Sequence, residues 1–508
     1  MKVLHLAEQT SSASLGFFPL SFLNKRFQQV FPLVPASWLL LLLFMVLEGC
    51  AGSLSHYDKL YASLHQGNPE QANQIIVAAE AQYGATSQLL YLMDHGMALH
   101  LAGRYEESAK VLEQADAMVE DLYTRQLRNE ALSLIVNDAK RPFRGDPYEQ
   151  VYINVINALN YARLGQLGEA LVEARRIDHR LNVLADTVDK EDYQEDPFAR
   201  YLSGLLYEAN GDLSNAFVAY RKSYEAYQRA QSWSEVTIPQ TLKQDLLRIT
   251  QRLNLSNEHA GYKQAFPGIS WPSGQNNGQG EIVLIGMHGR APRLEDQFID
   301  VPISLDALGL LLYTKQLGRN QPQQAGGVDA VLYGLQGEIV RISLPRVVPQ
   351  KTRVSFGRVI VNGVGGQENY QTELMSSVTA AAKKNLADRL PSVTLRTVAR
   401  AALKMSTAEG IGYGVSAAGK DEETRNLIHA IVSTLLKVLV ITTEEADKRS
   451  WRTLPDEIHV SRFFVTPGPL TLKYQSVGRQ SNLIGAPKTF TVTVQPGETQ
   501  ILTVFTPE

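Results

Sequence analysis

The chain has 508 residues, of which 44% are hydrophobic and 20% charged, and its formal net charge is −3. This length predicts several domains with separate hydrophobic cores, and the composition excludes a disordered, collagen-like or multi-span membrane protein. The slightly acidic charge argues against a general nucleic-acid binder, because contacts with phosphates need a surplus of basic residues, and the single cysteine excludes an internal disulfide, a Cys-rich zinc site and an iron–sulfur cluster.

Residues 1–49 have the three parts of an export signal. A basic pair precedes a strongly apolar stretch over 30–47, and small residues follow it. The tetrapeptide that ends in Gly49 and Cys50 resembles the lipobox of bacterial lipoproteins. In that family the signal is cut just before the cysteine, whose thiol carries a diacylglyceryl group. The resemblance therefore implies signal cleavage between Gly49 and Cys50, with lipid attachment at Cys50.

Two other interpretations of the apolar stretch stay open. Its length is close to that of an uncleaved signal anchor in the inner membrane, and it also fits a buried apolar helix with an inert cysteine. Pro32 and Pro35 disfavour both. Ala51 follows the cysteine, which by resemblance to the sorting rule of enteric bacteria favours the outer membrane. We therefore expect a lipidated N-terminus over 50–55 at the periplasmic face of the outer membrane.

Residues 56–264 repeat one pattern, in which a helix, a turn with glycine and a second helix follow each other. Small residues recur where the two helices of such a hairpin would cross, and larger ones recur beside the crossing. The pattern resembles the tetratricopeptide repeat. The residues assigned to repeat packing are Gly67, Gly103, Tyr105, Gly165, Ala170, Gly204, Gly211, Ala216 and Tyr220.

The turn glycines are spaced by 36, 62 and 46 residues, whereas a regular array would keep about 34. We therefore expect insertions, namely a helix over 121–137 and a loop over 140–147. Packing is the simplest role for the repeat residues. The alternative is that a concave face, with charged residues such as Arg175, Arg176 and Arg180, binds a protein segment.

After a turn-rich linker over 265–280, the sequence predicts a mixed α+β domain over 281–450. We expect its strands over 281–287, 338–344 and 352–361, and its helices from 370 to 390, from 393 to 405 and from 424 to 447. A small β-sandwich-like segment over 451–508 is expected to follow, with Trp451 filling its interface with the preceding domain. The predicted fold class is α+β and multidomain.

Several segments together resemble an uncharacterised family of bacterial outer-membrane lipoproteins with tetratricopeptide-like repeats. They are 142–150 (PFRGDPYEQ), 157–162 (NALNYA), 169–176 (EALVEARR) and 449–455 (RSWRTLP). Members of that family are often encoded near lipoproteins similar to penicillin-binding-protein activators. The resemblance implies a role in the cell envelope and assigns no catalytic residue.

The sequence contains neither a G-x-S-x-G elbow nor an H-E-x-x-H helix. His95 and His100 are five residues apart, so on a helix they diverge and cannot share a metal. We therefore predict no enzyme activity, no metal and no cofactor. The expected function is a lipid-anchored periplasmic scaffold that binds another envelope protein and no nucleic acid, and the resemblance implies work in envelope or peptidoglycan assembly. The alternatives are a hydrolase or transferase acting on envelope glycans, and a glycan-binding module.

Overall fold

Successive antiparallel hairpins build the N-terminal part of the chain. The computed structural model describes residues 56–129, 138–187, 195–270, 278–308, 337, 339–416, 422, 425–426 and 445–508. Gly49, Cys50 and the apolar stretch 30–47 lie outside the described residues. The helices of this part are α1 (His56–His65), α2 (Pro69–Ala78), α3 (Glu80–Tyr83), α4 (Gln88–Leu101), α5 (Tyr105–Asn129), α6 (Pro147–Arg163), α7 (Leu167–Thr187), α8 (Pro197–Ala209), α9 (Leu213–Ala230), α10 (Gln240–Arg252) and α11 (Ser256–Ala265).

The four glycines assigned to hairpin turns each stand two residues after the end of a helix. Their φ angles are 72° at Gly67, 77° at Gly103, 73° at Gly165 and 79° at Gly211. Glycine adopts this left-handed conformation without a steric cost. At each turn the next residue donates its backbone N–H back into the helix, as Arg104 does to the carbonyl oxygen of Leu99 at 2.9 Å. These turns reverse the chain after α1, α4, α6 and α8.

In two of the hairpins, a glycine lies at the contact between the two helices. A Cβ atom on Gly96 would lie 2.5 Å from a side-chain carbon of Leu112, and one on Gly204 would lie 2.5 Å from the ring of Tyr220. Ala170, Ala216 and Tyr220 are fully buried, and Tyr105 is half-buried. The small residues therefore lie where α4 meets α5 and where α8 meets α9.

In the described residues that follow, the chain forms ten strands and one long helix. The strands are β1 (Gly280–His288), β2 (Arg293–Pro302), β3 (Ile339–Val348), β4 (Val354–Gly363), β5 (Gly366–Gln371), β6 (Glu373–Ser377), β7 (Glu457–Val465), β8 (Gly468–Gly478), β9 (Leu483–Val494) and β10 (Thr499–Thr506), and α12 is Val378–Ser416. Sheet A has the order β10-β1-β7-β6, sheet B is the pair β2-β3, and sheet C has the order β5-β4-β8-β9. β1 pairs in parallel with β10 and antiparallel with β7.

Strand β1 lies in the middle of three layers. All nine of its residues are buried. Val283 and Ile285 belong to the same apolar cluster as the helical array, whereas Ile282 and Leu284 pack with β4, β7 and β8 residues of the second cluster. Because alternate side chains of a strand point to opposite faces, sheet A is covered by the helices on one face and by sheet C on the other. Sheet B forms a separate small core with α12.

Among the described residues, those up to 406 and those from 445 onwards form one compact unit, and the described residues between them belong to a second unit. Of the second unit, the structure describes only the end of α12 with residues 422 and 425–426. No helix among the described residues is long and apolar enough to span a membrane.

The α+β class agrees with the structure, but several expected boundaries are wrong. Strands from the ranges 281–450 and 451–508 are hydrogen-bonded to each other in sheets A and C, so residue 450 does not separate two folded domains. An alternation of apolar and polar residues identifies a strand but does not show which strands pair. The partners of β1 are β7 and β10, which both lie after residue 450.

The helices of the middle region also differ from expectation. Residue 370 lies in β5, and α12 begins only at Val378 and continues through Pro391. Residues 445–447 are not helical, and the rest of the helix expected over 424–447 lies almost wholly outside the described residues. The inserted helix expected from 121 is a continuation of α5 to Asn129.

Candidate functional site

The face of the helical array formed by α1, α4 and α6 is occupied by the chain itself. Residues 445–456, here called the crossing segment, have no helix or strand and run across this face. The Tyr61 hydroxyl donates to the backbone oxygen of Arg452 at 2.5 Å, and the Thr453 hydroxyl donates to Asp94 at 2.8 Å. Trp451 is fully buried in the core of the array rather than between the two C-terminal ranges.

The arginines proposed for a concave binding face do not lie on the helices α1, α4 and α6. Arg175, Arg176 and Arg180 lie on α7, the second helix of its hairpin. Arg180 is buried, and its guanidinium pairs with Asp116 and with Glu120 of α5, each at 2.8 Å. Arg180 therefore joins neighbouring hairpins and does not line an open groove.

A buried ionic cluster holds sheet A against the last hairpins. Arg462 of β7 pairs with Glu281 of β1 at 2.5 Å, with Asp245 of α10 at 2.9 Å and with Glu208 of α8 at 3.0 Å. Arg248 of α10 pairs with the same Glu208 and Asp245. These five groups are almost completely buried, and Arg252 adds a third positive charge by pairing with Glu208 at 2.8 Å. Three arginines therefore balance three carboxylates, and the cluster is a structural connection between the array and the sheet.

One cavity is lined mainly by charged side chains. Its volume is about 260 Å³, and its walls come from residues 138–147, from one face of α12, from β3 and from the start of the crossing segment. We call it the arginine pocket. Its arginines are Arg141, Arg144, Arg389, Arg396, Arg400 and Arg449, and its carboxylates are Asp138, Asp146, Glu445 and Asp447.

Helix periodicity aligns three of these arginines. Arg389, Arg396 and Arg400 are separated by seven and four residues, and such positions fall on one face of a helix. Val393 and Thr397 line the cavity from the same face. The arginine pocket is therefore bounded on one side by a face of α12 that carries three positive charges.

The loop on the other wall is fixed by hydrogen bonds. The backbone N–H of Phe143 donates to the oxygen of Thr86 at 2.7 Å, and the Gln150 amide donates to the backbone oxygens of Arg144 and Gly145, both at 3.2 Å. Gly145 has φ 73°. The N–H of Asp146 donates to Glu149 at 2.7 Å as part of a capping box that begins α6.

Arg449 ties this loop to the crossing segment. Its guanidinium donates to the backbone oxygens of Arg141 at 2.9 Å and of Asp138 at 3.0 Å, and it pairs with Asp447 at 2.6 Å. Two residues further on, the N–H of Trp451 donates to Glu149 at 2.6 Å. Hydrogen bonds thus connect the crossing segment, the loop over 138–146 and the start of α6 in the protein without a ligand.

Several of the arginines have incomplete hydrogen bonding within the described residues. Arg400 is 5% exposed, and its closest carboxylate oxygen, on Asp138, is 3.8 Å away. The buried nitrogens without a hydrogen-bond partner in the described part of the chain include Nε and Nη1 of Arg400, Nε and Nη2 of Arg141, and Nε of Arg389 and Arg396. Buried donors of this kind are costly and rare in folded proteins.

The pKa shifts of two pocket arginines show that the positive charges of the pocket repel one another. Burial lowers the pKa of Arg141, and although Asp138 opposes this, the charges of Arg396, Arg144 and Arg400 lower it further. Burial and the charge of Arg396 also lower the pKa of Arg144. Arg389 differs, because the carboxylates of Asp146 and Glu149 outweigh its burial and raise its pKa. The arginines therefore repel one another, and an anion would relieve this repulsion.

The donor groups that line the pocket are suited to an anion. In the described part of the chain, no group of three or more His, Cys, Asp or Glu side chains could hold a metal ion. Guanidinium groups form strong, charge-assisted hydrogen bonds with carboxylates and phosphates.

The sequence contained two signals of the pocket. The spacing of Arg389, Arg396 and Arg400 marks one face of a helix, and the segments 142–150 and 449–455 carry the family resemblance. In the fold, Phe143 and Arg449 from those segments line the same cavity. Their proximity depends on long-range packing that the sequence pattern does not show.

No protein-family model and no curated protein matches the chain. Among solved structures, the MamA RS-1 ArsTM double mutant has a TM-score of 0.27 and 15% identity, covering 42% of this chain and 92% of that chain. The TPR-like repeats of a Podosopora anserina protein assigned as a kinesin light chain have a TM-score of 0.29 and 16% identity, covering 43% and 94%. TM-scores this low carry no inference about the function of this chain.

Proposed function

We propose that this chain is a lipid-anchored, non-enzymatic adaptor of the bacterial cell envelope that holds a partner by binding its anionic group in the arginine pocket. The observation that carries the proposal is the concentration of buried, incompletely hydrogen-bonded guanidinium groups around one cavity. The resemblance of the segment ending in Cys50 to a lipobox supports the anchor and the position at the periplasmic face of the outer membrane.

The helical array then acts as a frame rather than as the binding groove. Its α1, α4 and α6 face is covered by the crossing segment, through the bonds of Arg452, Trp451 and Thr453 to the array. A partner segment could bind there only by displacing these buried contacts. The arginine pocket needs no such displacement, and its loop and helix walls are already fixed.

Binding is tested by calorimetric titration of the purified full-length protein at low salt. The probes are a hexapeptide of glutamates and glycerol 2-phosphate, which present carboxylates and a phosphate. We expect at least one to bind, and Arg400→Gln to weaken that binding about tenfold or more, since charge-assisted hydrogen bonds are lost. Arg175→Gln removes the same charge from an exposed position on α7 and should leave the affinity unchanged. If neither probe binds, the adaptor proposal fails.

The anchor is tested independently in cells fed with labelled palmitate. The wild type should incorporate the label and Cys50→Ser should not, because the cysteine thiol is the attachment point. Equal, low incorporation in both would refute the lipid anchor. Processing of peptidoglycan fragments by the purified protein would instead favour the enzymatic alternative.

A further inference from the structure

We infer that the arginine pocket is a site for a phosphate monoester, either free or carried on a lipid headgroup. The inference rests on the proposed anion-binding function and specifies the ligand of that site. Three features of the pocket favour this ligand class over a carboxylate. They are its surplus of positive charge, the position of its hydrogen-bond donors on two walls, and the unfavourable repulsion between its buried arginines when no ligand is bound.

The charge of the lining matches a dianion. Six arginines face four carboxylates around the cavity, which leaves a surplus of two positive charges. A phosphate monoester carries two negative charges above its second pKa, which is about 6. A single carboxylate would neutralise only half of the surplus.

The donors come from two separate walls. Arg141 and Arg144 belong to the loop before α6, and Arg396 and Arg400 belong to α12. One guanidinium fork already satisfies both oxygens of a carboxylate, whereas the three terminal oxygens of a phosphate monoester can accept from several guanidiniums at once. The unpartnered nitrogens of Arg141, Arg396 and Arg400 therefore fit a ligand with several acceptor oxygens.

The arrangement is unfavourable without a ligand. Arg396 and Arg400 are four residues apart on α12, and like charges at this spacing destabilise a helix. Arg400 is also 95% buried, with its nearest carboxylate beyond hydrogen-bond distance. Natural proteins retain such local costs mainly where function requires them. A bound dianion would supply acceptors and cancel the repulsion between these two arginines.

The experiment titrates the full-length protein with glycerol 2-phosphate at pH 5 and at pH 7.5. We expect about tenfold tighter binding at pH 7.5, because the second ionisation of the phosphate falls between these values. Sulfate, which keeps its charge over this range, should show no such increase. Malonate, a dicarboxylate, should bind at least about tenfold more weakly than glycerol 2-phosphate at pH 7.5, because it lacks a compact tetrahedral group.

Two variants separate binding from folding. Arg396→Gln and Arg400→Gln should each weaken the binding of glycerol 2-phosphate about tenfold or more. Arg396 has no ion-pair partner among the described residues, so Arg396→Gln should leave the melting temperature of the unliganded protein unchanged or raise it. A purely structural role for Arg396 would lower that temperature and leave the affinity of the folded protein intact.

Vesicles distinguish the two sources of the phosphate. The Cys50→Ser protein is used for this test, because it lacks the proposed acyl chains, which would bind any vesicle. If the ligand is a lipid headgroup, this variant should co-float with vesicles that contain phosphatidic acid and not with vesicles of phosphatidylglycerol, whose phosphate is a diester. Binding of soluble glycerol 2-phosphate without flotation supports a free ligand.

The outcomes that overturn the inference differ from those that overturn the adaptor proposal. If malonate or the glutamate peptide binds as tightly as glycerol 2-phosphate, the phosphate assignment fails and the anionic site survives. If glycerol 2-phosphate binds equally well to Arg396→Gln and Arg400→Gln, the assignment fails because the ligand binds elsewhere. If no anion binds, the inference and the adaptor proposal fail together.

Discussion

The backbone N–H of Trp451 donates to the carboxylate of Glu149 at 2.6 Å, although the two residues are 302 positions apart. Glu149 belongs to the capping box that begins α6, directly after the loop of the arginine pocket. Trp451 lies two residues after Arg449, which holds that loop. The pocket and the core of the helical array are therefore connected through this pair.

Truncation of Trp451 tests this connection. Its side chain is fully buried and its Nε1 donates to the Thr453 hydroxyl at 2.8 Å, so Trp451→Ala should lower the free energy of unfolding by about 3–5 kcal/mol. The same variant should weaken anion binding, since Arg449 would lose its fixed position. Urea denaturation and titration give the two quantities. A Trp451→Ala protein that is destabilised but binds the anion with wild-type affinity would contradict the connection.

The close helix crossing in the fourth predicted hairpin gives a second prediction. Gly204→Ala should destabilise the protein by about 1–3 kcal/mol, because the new methyl group would meet the ring of Tyr220 at 2.5 Å. Gly261→Ala in α11 is the matched control, because nothing lies within 4 Å of its added Cβ. This control should be neutral or stabilise by up to about 1 kcal/mol. Thermal unfolding measures the change in stability of both variants. Equal changes for Gly204→Ala and Gly261→Ala would contradict a tight crossing.

The tyrosines of the repeat pattern should differ in their contribution. Tyr220 is fully buried, and its hydroxyl donates to Glu208 at 2.9 Å, so Tyr220→Ala should cost about 3–5 kcal/mol. Tyr105 is half-buried, and its hydroxyl accepts a 3.3 Å bond from Arg163. Tyr105→Ala should therefore cost less, about 1 kcal/mol. Chemical denaturation that ranks the two in the opposite order would contradict this packing.

Removal of the cation from the buried cluster should make stability depend strongly on pH. Arg462→Met leaves Glu208, Asp245 and Glu281 in each other's vicinity with less positive charge, which should cost about 3–5 kcal/mol near neutral pH. The loss should be smaller at pH 5 than at pH 8, because protonation relieves the repulsion among the carboxylates. Urea midpoints at the two pH values measure this difference. A loss that is the same at both would show that Arg462 contributes through packing alone.

The buried Asp94 should make the free energy of unfolding fall as the pH rises. Burial raises its pKa to about 6, although the hydroxyls of Tyr57, Thr453 and Tyr83 donate to it. The pKa in the unfolded chain is about 3.9, so the folded state holds the proton more tightly. This part of the stability is complete below about pH 4 and is lost as the pH rises through 6. Asp94→Asn should reduce the fall in stability between pH 4.5 and pH 7. An unchanged pH profile would contradict the raised pKa.

The sequence predicts most of the helices, turns and strands of the fold. Glycines at hairpin turns and small residues at helix crossings determine local geometry, so the sequence pattern alone places Gly103 and Gly211 at turns. Strand pairing was not accessible, because β1 binds β10 and β7 from the far end of the chain. Residue 370 was expected in a helix and lies in a strand, where β5 completes the edge of sheet C.

The candidate site was accessible only in parts. The helical spacing of Arg389, Arg396 and Arg400 is visible in the sequence, but the charges that face them from Arg141 and Arg144 are more than 240 positions away. The tertiary contact between α12 and the loop before α6 creates the surplus of charge. Sequence periodicity reports on one element at a time and gives no information about such a contact.

The most direct test of the anion site is a crystal structure of the protein grown with glycerol 2-phosphate at pH 7.5. We expect the phosphate between α12 and the loop over 138–146, with its oxygens about 2.7–2.9 Å from guanidinium nitrogens of Arg396 and Arg400. A phosphate bound only at other sites, with these two guanidiniums in contact with no ligand oxygen, would contradict the account.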